Sequence, residues 1–448
     1  MRTTRREFLK HSMGASALLA LSAAAPAFLH RTAQAATARP NGRDSVLVVL
    51  QLSGGNDGLN TVIPYEDDAY HRQRPTLHVT ANRVHRLGSG LGLHPDMPAF
   101  LRLYQEGHLS ILQGVGYPNS NRDHEAAMRH WHTAAPEQEF LPRKQKAAAP
   151  SRAAATDPVQ ARQSRSRGLE LNQTGWLGRA IDQAYGPADL PGAFVGPIQA
   201  PFGLQAERAV VPATASLDPW RLSPSSAPAA QAAWPERVVR LAQLPRTDQS
   251  HGLLAFLQQS TLQACAASQH LQQVVQARPR EYPQFALARD LRTVAQLIRA
   301  DLGIRIFFAE MGGGGIGGFD SHAGQVTNHG ALLRELSESV AAFLEDLRQD
   351  KLLDSVLLLT FSEFGRTLSE NGRRGTDHGA AAPMFLAGGK LRGGLIGAHP
   401  SLTDLDGDAP KFHTDFRRVY ATVLEKWLGL DSQAILGERF APLEEVFT

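Results

Sequence analysis

Apolar residues run without alternation through "SVLVVLQL", residues 45–52, and the run closes at Gly54-Gly55. An unbroken apolar run of that length, ended by glycine, predicts a strand buried on both faces, the kind parallel sheets contain. "MPAFLRLYQEGHLSILQGVGY" reads as a short amphipathic helix, a stop at Gly107 and a second buried strand. A helix follows in "DHEAAMRHWHTA", with Asp123 placed as its N-cap. The last third is the most regular. It gives the helix "ALARDLRTVAQLIRADL", the strand "GIRIFFAEM" and the loop "GGGGIGGFDSHAGQ". Then come the helix "HGALLRELSESVAAFLEDLRQ", the strand "DSVLLLTFSEF", a long loop to His378 and the strand "APMFLAGG". Strands alternating with helices predict an α/β fold with a parallel sheet and right-handed crossovers. Ligands of such sheets sit beyond the carboxyl ends of the strands, and the polar clusters of this chain fall there.

Elsewhere the patterning fades. Residues 141–167, "LPRKQKAAAPSRAAATDPVQARQSRSR", lack apolar periodicity and read as a flexible surface insertion. A second loose stretch covers residues 221–238, and "GLLAFLQQSTLQACAASQHLQQVVQ" after it reads as helix. Neither heptads nor a repeat period is present, which excludes a coiled coil or solenoid.

The first residues carry an address. Arg5-Arg6 followed by Phe8, Leu9 and Lys10 is the twin-arginine pattern, and "MGASALLALSAAAPAFL" and small residues at Ala33 and Ala35 come after it. This predicts a signal peptide over 1–35, recognised by the twin-arginine export machinery, and a periplasmic or otherwise exported single domain over 36–448. Such proteins cross the membrane folded, so a metal can be bound before export. Cys265 is the single cysteine and cannot form an internal disulfide. No later run is apolar enough to span a membrane. A net charge of +3 gives no case for nucleic acid.

Four polar clusters follow predicted strands: Asn56-Asp57, Asp123-His124, Asp320 with His322 and then His329, and Glu363 with Asp377-His378. Carboxylate and imidazole are the ligands that hard and borderline divalent metals take. Asp320 and His322 are alternate residues, so in an extended segment they point the same way. Each cluster also has a purely structural reading. Asp57 and Asp377 suit turns, Asp123 suits a helix cap, and Glu363 suits an ion pair with Arg366. His130 and His132, two apart on a helix, do not share a face. "GGGGIG" satisfies the glycine pattern for dinucleotides, but no helix opens directly after it, so it argues for no nucleotide.

"LVVLQLSGGNDGLNTVIPY", "RPTL", "LGLHP", "YPNSNRDHEAAMRHWHTA", "GWLGRAID", "GGFDSHAGQ", "SEFGRT" and "GTDHGAAAPMFLAGG" together resemble the bacterial domain-of-unknown-function family numbered fifteen-oh-one. That family is similar to the alkaline phosphatase superfamily, which includes sulfatases. The resemblance implies a three-layer α/β/α sandwich with a mainly parallel sheet and a metal site at the strand ends. It implies one or two divalent ions, with zinc, manganese and calcium as candidates, on Asp57, Asp320, His322, Glu363, Asp377 and His378. It puts Asp123 and His124 where the superfamily carries its nucleophile, with Ser120 nearby as a hydroxyl. Phe364 stands where the superfamily carries a histidine. Arg366 is expected to contact the oxygens of an anionic substrate. Two functions follow: a hydrolase of small phosphate or sulfate esters, or a catalytically depleted scaffold that binds a protein partner, with 141–167 as its docking segment.

Overall fold

The computed structural model describes residues 45–135, 173–184, 192–215 apart from 198–199 and 210, 280–312 and 318–448, with a few isolated positions between 171 and 274. The predicted signal peptide, the 141–167 insertion, the 221–238 stretch, most of the 252–276 helix and glycines 313–317 lie outside the described residues.

Among the described residues nine strands form the main sheet: β1 Val46–Leu52, β2 Leu109–Gly116, β3 Gly192–Val195, β4 Ala213–Thr214, β5 Ile306–Met311, β6 Val356–Phe361, β7 Ala382–Gly388, β8 Gly394–Ile396 and β9 Thr414–Asp415. Their order is β8-β2-β7-β6-β1-β5-β3-β4, with β9 beside β2. β1 lies at the centre, parallel to β5 and β6, and every one of its residues is buried. Among the described strands of this sheet, β7 alone runs antiparallel to its neighbours, β2 and β6. The parallel scheme read from the sequence fails at this strand for a physical reason. Residues 362–381 return as an irregular loop with no crossover helix, so the chain re-enters the sheet from the end at which it left.

Among the described residues, the helices that cover the sheet include α1 Pro98–Gln105, α2 His124–Thr133, α3 Trp176–Ala184, α4 Ala286–Arg299, α5 Gln325–Gln349 and α6 Phe416–Thr422. Alternate residues of β1 divide between two cores. Val46, Val48 and Leu50 pack with Phe100 of α1, Leu291 of α4 and Leu336 of α5. Leu47 and Val49 pack on the other face with Trp131 of α2, Trp176 of α3 and Tyr420 of α6. The fold is therefore a three-layer α/β/α sandwich with a mostly parallel sheet. Each fully buried side chain of this size contributes about 1.5–3 kcal/mol, and the central strand draws on both cores.

Two helix starts position later chemistry. Asp123 caps α2, its carboxylate accepting from the Ala126 N–H at 3.0 Å. α5 opens at Gln325, so His329 lies inside the helix and is buried. Among the described residues no helix is long and apolar enough to cross a membrane.

Buried imidazoles punctuate both cores. His132 is bonded to Gln51 Oε1 at 2.7 Å, and His94 meets His329 edge-on. Burial lowers His132 and His94 to about 4 and His329 to about 3, so all three are neutral in the folded protein. Unfolding returns them to an ordinary value of about 6.5, so the unfolded chain binds more protons between these limits. Their stabilisation is complete above that ordinary value and is lost as pH falls through the folded values. Stability is expected to drop between pH 6.5 and 4 by on the order of 1.4 kcal/mol per pH unit for each histidine. Denaturant midpoints measured across that range would contradict this if they stayed level.

Candidate metal centre

The strand ends meet because two glycines let them. Gly54 and Gly55, just past β1, have φ of +114° and +80°. A Cβ on Gly54 would lie 2.3 Å from the Asp320 backbone nitrogen, and one on Gly55 would lie 2.3 Å from the Phe364 ring. Arg366 then ties the ends together. It is 2% exposed. Its Nε donates to Gly55 O at 2.7 Å, Nη1 to Thr376 O at 3.0 Å, and Nη2 to Phe319 O and Asp320 Oδ1, both at 2.9 Å. Nη2 also donates to Gly54 O. Asp320 stays below the ordinary carboxylate range: partial burial would raise it, and the Arg366 bond, the His378 bond and the neighbouring charges together outweigh that.

Around Asp320 stand three imidazoles. Asp320 Oδ1 lies 3.1 Å from His322 Nε2 and 3.2 Å from His378 Nε2, and the two Nε2 atoms are 2.9 Å apart. His124 Nε2 faces the other oxygen, Oδ2, at 3.5 Å. Donor atoms of His124, Asp320 and His378 all fall within 4.8 Å of one another. The far side of each ring is committed outward. His124 Nδ1 is bonded to Glu363 Oε1 at 2.7 Å, His322 Nδ1 to Asp377 Oδ1 at 2.9 Å, and His378 Nδ1 to the Arg122 carbonyl at 2.7 Å. All three partners accept, so each Nδ1 carries a proton, and in the neutral tautomer that this fixes, Nε2 is the nitrogen that turns its lone pair inward.

Four acceptor groups therefore converge with no donor among them but the Arg366 edge. Such an arrangement calls for a cation. Bonds of about 2.0–2.1 Å to a tetrahedral or octahedral ion set its ligand atoms about 2.8–3.4 Å apart, close to the observed triangle of Asp320, His322 and His378. The residues thus fit a divalent ion. Burial lowers His378 and keeps it neutral, the form that a metal requires. Phe364 stacks on His378 at 4.2 Å and leans on His124 at 5.0 Å, fixing both rings. Asn371 Nδ2 holds Asp377 Oδ1 and the His322 carbonyl, both at 3.1 Å.

The other predicted site residues take different places. Glu363 and Asp377 stand behind imidazoles rather than inside the triangle, and Glu363 Oε2 accepts from Gly54 N at 2.9 Å. Asp57 is spent elsewhere. Arg74 grips its two oxygens at 2.6 and 3.0 Å, and Gln325 adds a further bond. Burial would raise Asp57, yet Arg74 holds it below its ordinary value. Asp123 is the cap of α2 and does not face the triangle as a catalytic group. Arg366, with every nitrogen bonded inside the protein, cannot reach an anion's oxygens, and it pairs with Asp320 rather than Glu363. Sequence reading missed Arg74, Asn371 and Gln325. Only Arg74 gave a signal, as a lone cation opening "RPTL".

Among curated proteins no sequence match is found. Solved structures give distant likenesses. A protein in the alkaline phosphatase superfamily from Vibrio parahaemolyticus is 12% identical, with 92% of this chain and 77% of that one covered, at a TM-score of 0.34. The C-terminal periplasmic domain of EcEptC from Escherichia coli, in complex with zinc, is 10% identical over 78% of this chain and 74% of that one, at 0.31. The lipoteichoic acid synthase LtaP from Listeria monocytogenes is 8% identical over 80% and 66%, at 0.32. Across residues 44–441 the sequence matches the family described as Protein of unknown function (DUF1501), and the chain belongs to that family.

Proposed function

We propose that the protein is an exported, metal-dependent hydrolase of small phosphate or sulfate esters, with a divalent ion on Asp320, His322 and His378. The observation that carries this reading is the ring of bare acceptors: three imidazoles with their Nδ1 protons committed outward, and one ionised carboxylate between them. A divalent ion bound there would polarise the ester and offset charge on the transferring group.

The chain's own residues supply the rest. Asp377 and the Arg122 carbonyl fix the orientation of His322 and His378. Glu363 accepts the Nδ1 proton of His124, which turns Nε2 toward the triangle as the base that takes a proton from an incoming water. Among the described residues no Ser, Thr or Cys side chain bonds the side chains of His124, Asp320, His322 or His378. In this reading the attacking oxygen is water's. It bonds to phosphorus or sulfur as its proton goes to His124, and the bond to the leaving oxygen breaks with its electron pair, the alkoxide then taking a proton from solvent water, with no ester of the protein formed. One other reading draws on the same missing hydroxyl and the enclosed Arg366: a metal-centred binding or assembly protein without turnover, docked through residues 141–167.

Hydrolysis of 4-nitrophenyl phosphate and 4-nitrophenyl sulfate separates the roles. Asp320→Ala and His378→Ala are expected to lose activity together with bound metal. His124→Ala should keep the metal and lose at least about a hundredfold in kcat. Full activity in both ligand variants would sink the assignment, and no hydrolysis by metal-loaded wild type would favour the binding reading. Replacing Arg5 and Arg6 by lysine should leave the uncleaved precursor in the cytoplasm; unchanged export on cell fractionation would refute the twin-arginine route.

A further inference from the structure

The turn from Asn371 to Gly375 is built onto the metal centre and presents two arginines to solvent. One side chain shapes it. Asn371 Oδ1 accepts from the Arg373 N–H at 3.0 Å and the Gly375 N–H at 3.1 Å, while its Nδ2 donates to the His322 carbonyl and to Asp377 Oδ1. Backbone bonds close the same turn: Asn371 N donates to Gly375 O at 2.8 Å, and Arg374 N to Asn371 O at 3.1 Å. The carbonyls of Arg373 and Arg374 then accept from Gly324 N at 3.1 Å and Gln325 N at 2.9 Å, where α5 begins. A Cβ on Gly375 would lie 2.3 Å from the His322 carbonyl carbon, so the turn rests directly on a residue of the triangle.

Other arginines around the site are committed within the protein. Arg74 grips Asp57, Arg366 ties the strand ends, and Arg122 Nη2 pairs with Asp406 at 3.0 Å. Arg373 and Arg374 are both exposed, and among the described residues neither guanidinium makes a hydrogen bond or an ion pair. Arg373 still lies near enough for its charge to act on Asp377, the carboxylate behind His322. Arg374 takes φ +57°, in the left-handed region where a side chain of this size is strained. Strain of that kind collects at functional sites, and here it carries a cation where glycine would relax the turn. Free guanidinium groups draw in anions and bind phosphate, sulfate or carboxylate through paired N–H donors. A metal ion would take the group being hydrolysed, so these two are left for another.

We propose that Arg373 and Arg374 determine specificity by binding a second anionic group of the substrate, a phosphate, sulfate or carboxylate separate from the one hydrolysed. Multiply charged esters are thereby favoured over simple monoesters. This rests on the reading of the metal centre as a site for anionic esters.

Phosphonates test this apart from turnover, because they contain no ester bond to hydrolyse. Butylphosphonate is compared with butane-1,4-diylbisphosphonate, alongside the matching ethane and hexane pairs, by isothermal titration calorimetry on the metal-loaded mature protein. In the best pair the bisphosphonate should bind about tenfold more tightly at low salt, about 1.4 kcal/mol, against about twofold from having two equivalent ends. The preference should fall toward that statistical ratio at about 1 M salt, where charges are screened beyond about 3 Å. Arg373→Gln with Arg374→Gln should abolish it, and Arg373→Lys with Arg374→Lys should keep most of it. A turn that only supports His322 would instead weaken both probes alike in the glutamine variant. That result, a merely statistical ratio for wild type in every pair, or a preference untouched by salt would overturn the proposal and leave the metal reading standing. The wild-type ratio and its salt dependence decide even if a variant fails to fold. Binding of neither probe would overturn both, whereas preference without hydrolysis of any ester would support this proposal and count against turnover.

Discussion

One buried guanidinium holds the working end of the sheet together. Arg366 bonds carbonyls from the β1 end, from the loop after β5 and from the segment before His378, and pairs with Asp320 as well. Those segments are far apart in sequence, and apolar packing cannot join them because they are loops of exposed backbone polarity. A planar fork of donors can join them: it satisfies several carbonyls at once and stays charged when buried. Its bond and its charge, together with the bond from His378, also hold Asp320 below the ordinary carboxylate range against partial burial. The residue expected to grasp a substrate thus grasps the protein.

A second guanidinium does related work for Asp57. Arg74, fully buried, closes both carboxylate oxygens and reaches the Leu368 and Thr367 carbonyls at 2.8 and 2.7 Å. Gln325 connects Asp57 to Thr376, and Thr376 connects to Arg366. A carboxylate that could have met a metal is instead neutralised from within. What is left for an ion is the compact set of Asp320, His322 and His378, with His124 beside it. This argues for one ion rather than two.

How much of this was legible in the sequence depended on whether the cause was local. Continuous apolar runs marked β1, β2 and β6 because burial on both faces leaves no room for alternation. Asp123 was readable as a cap because capping acts within one turn. The direction of β7 was not readable, since it depends on how the 362–381 loop returns. Asp320, His322 and His378 could be named as polar residues past strand ends. Their convergence, and the diversion of Asp57 to a guanidinium 17 positions along the chain, came only from tertiary packing. The Nδ1 anchors were equally hidden: Glu363 stands 239 positions from His124, and no spacing rule links them.

The central claim is that Asp320, His322 and His378 hold a divalent ion. Elemental analysis of the exported protein, purified without chelator or histidine tag, tests it most directly when wild type is compared with a folded His322→Ala, His378→Ala double variant. The account predicts about one zinc, manganese, calcium or iron per wild-type chain and none in the variant. A wild type that stays metal-free after each metal is offered back would contradict it, as would a variant that keeps its metal in full.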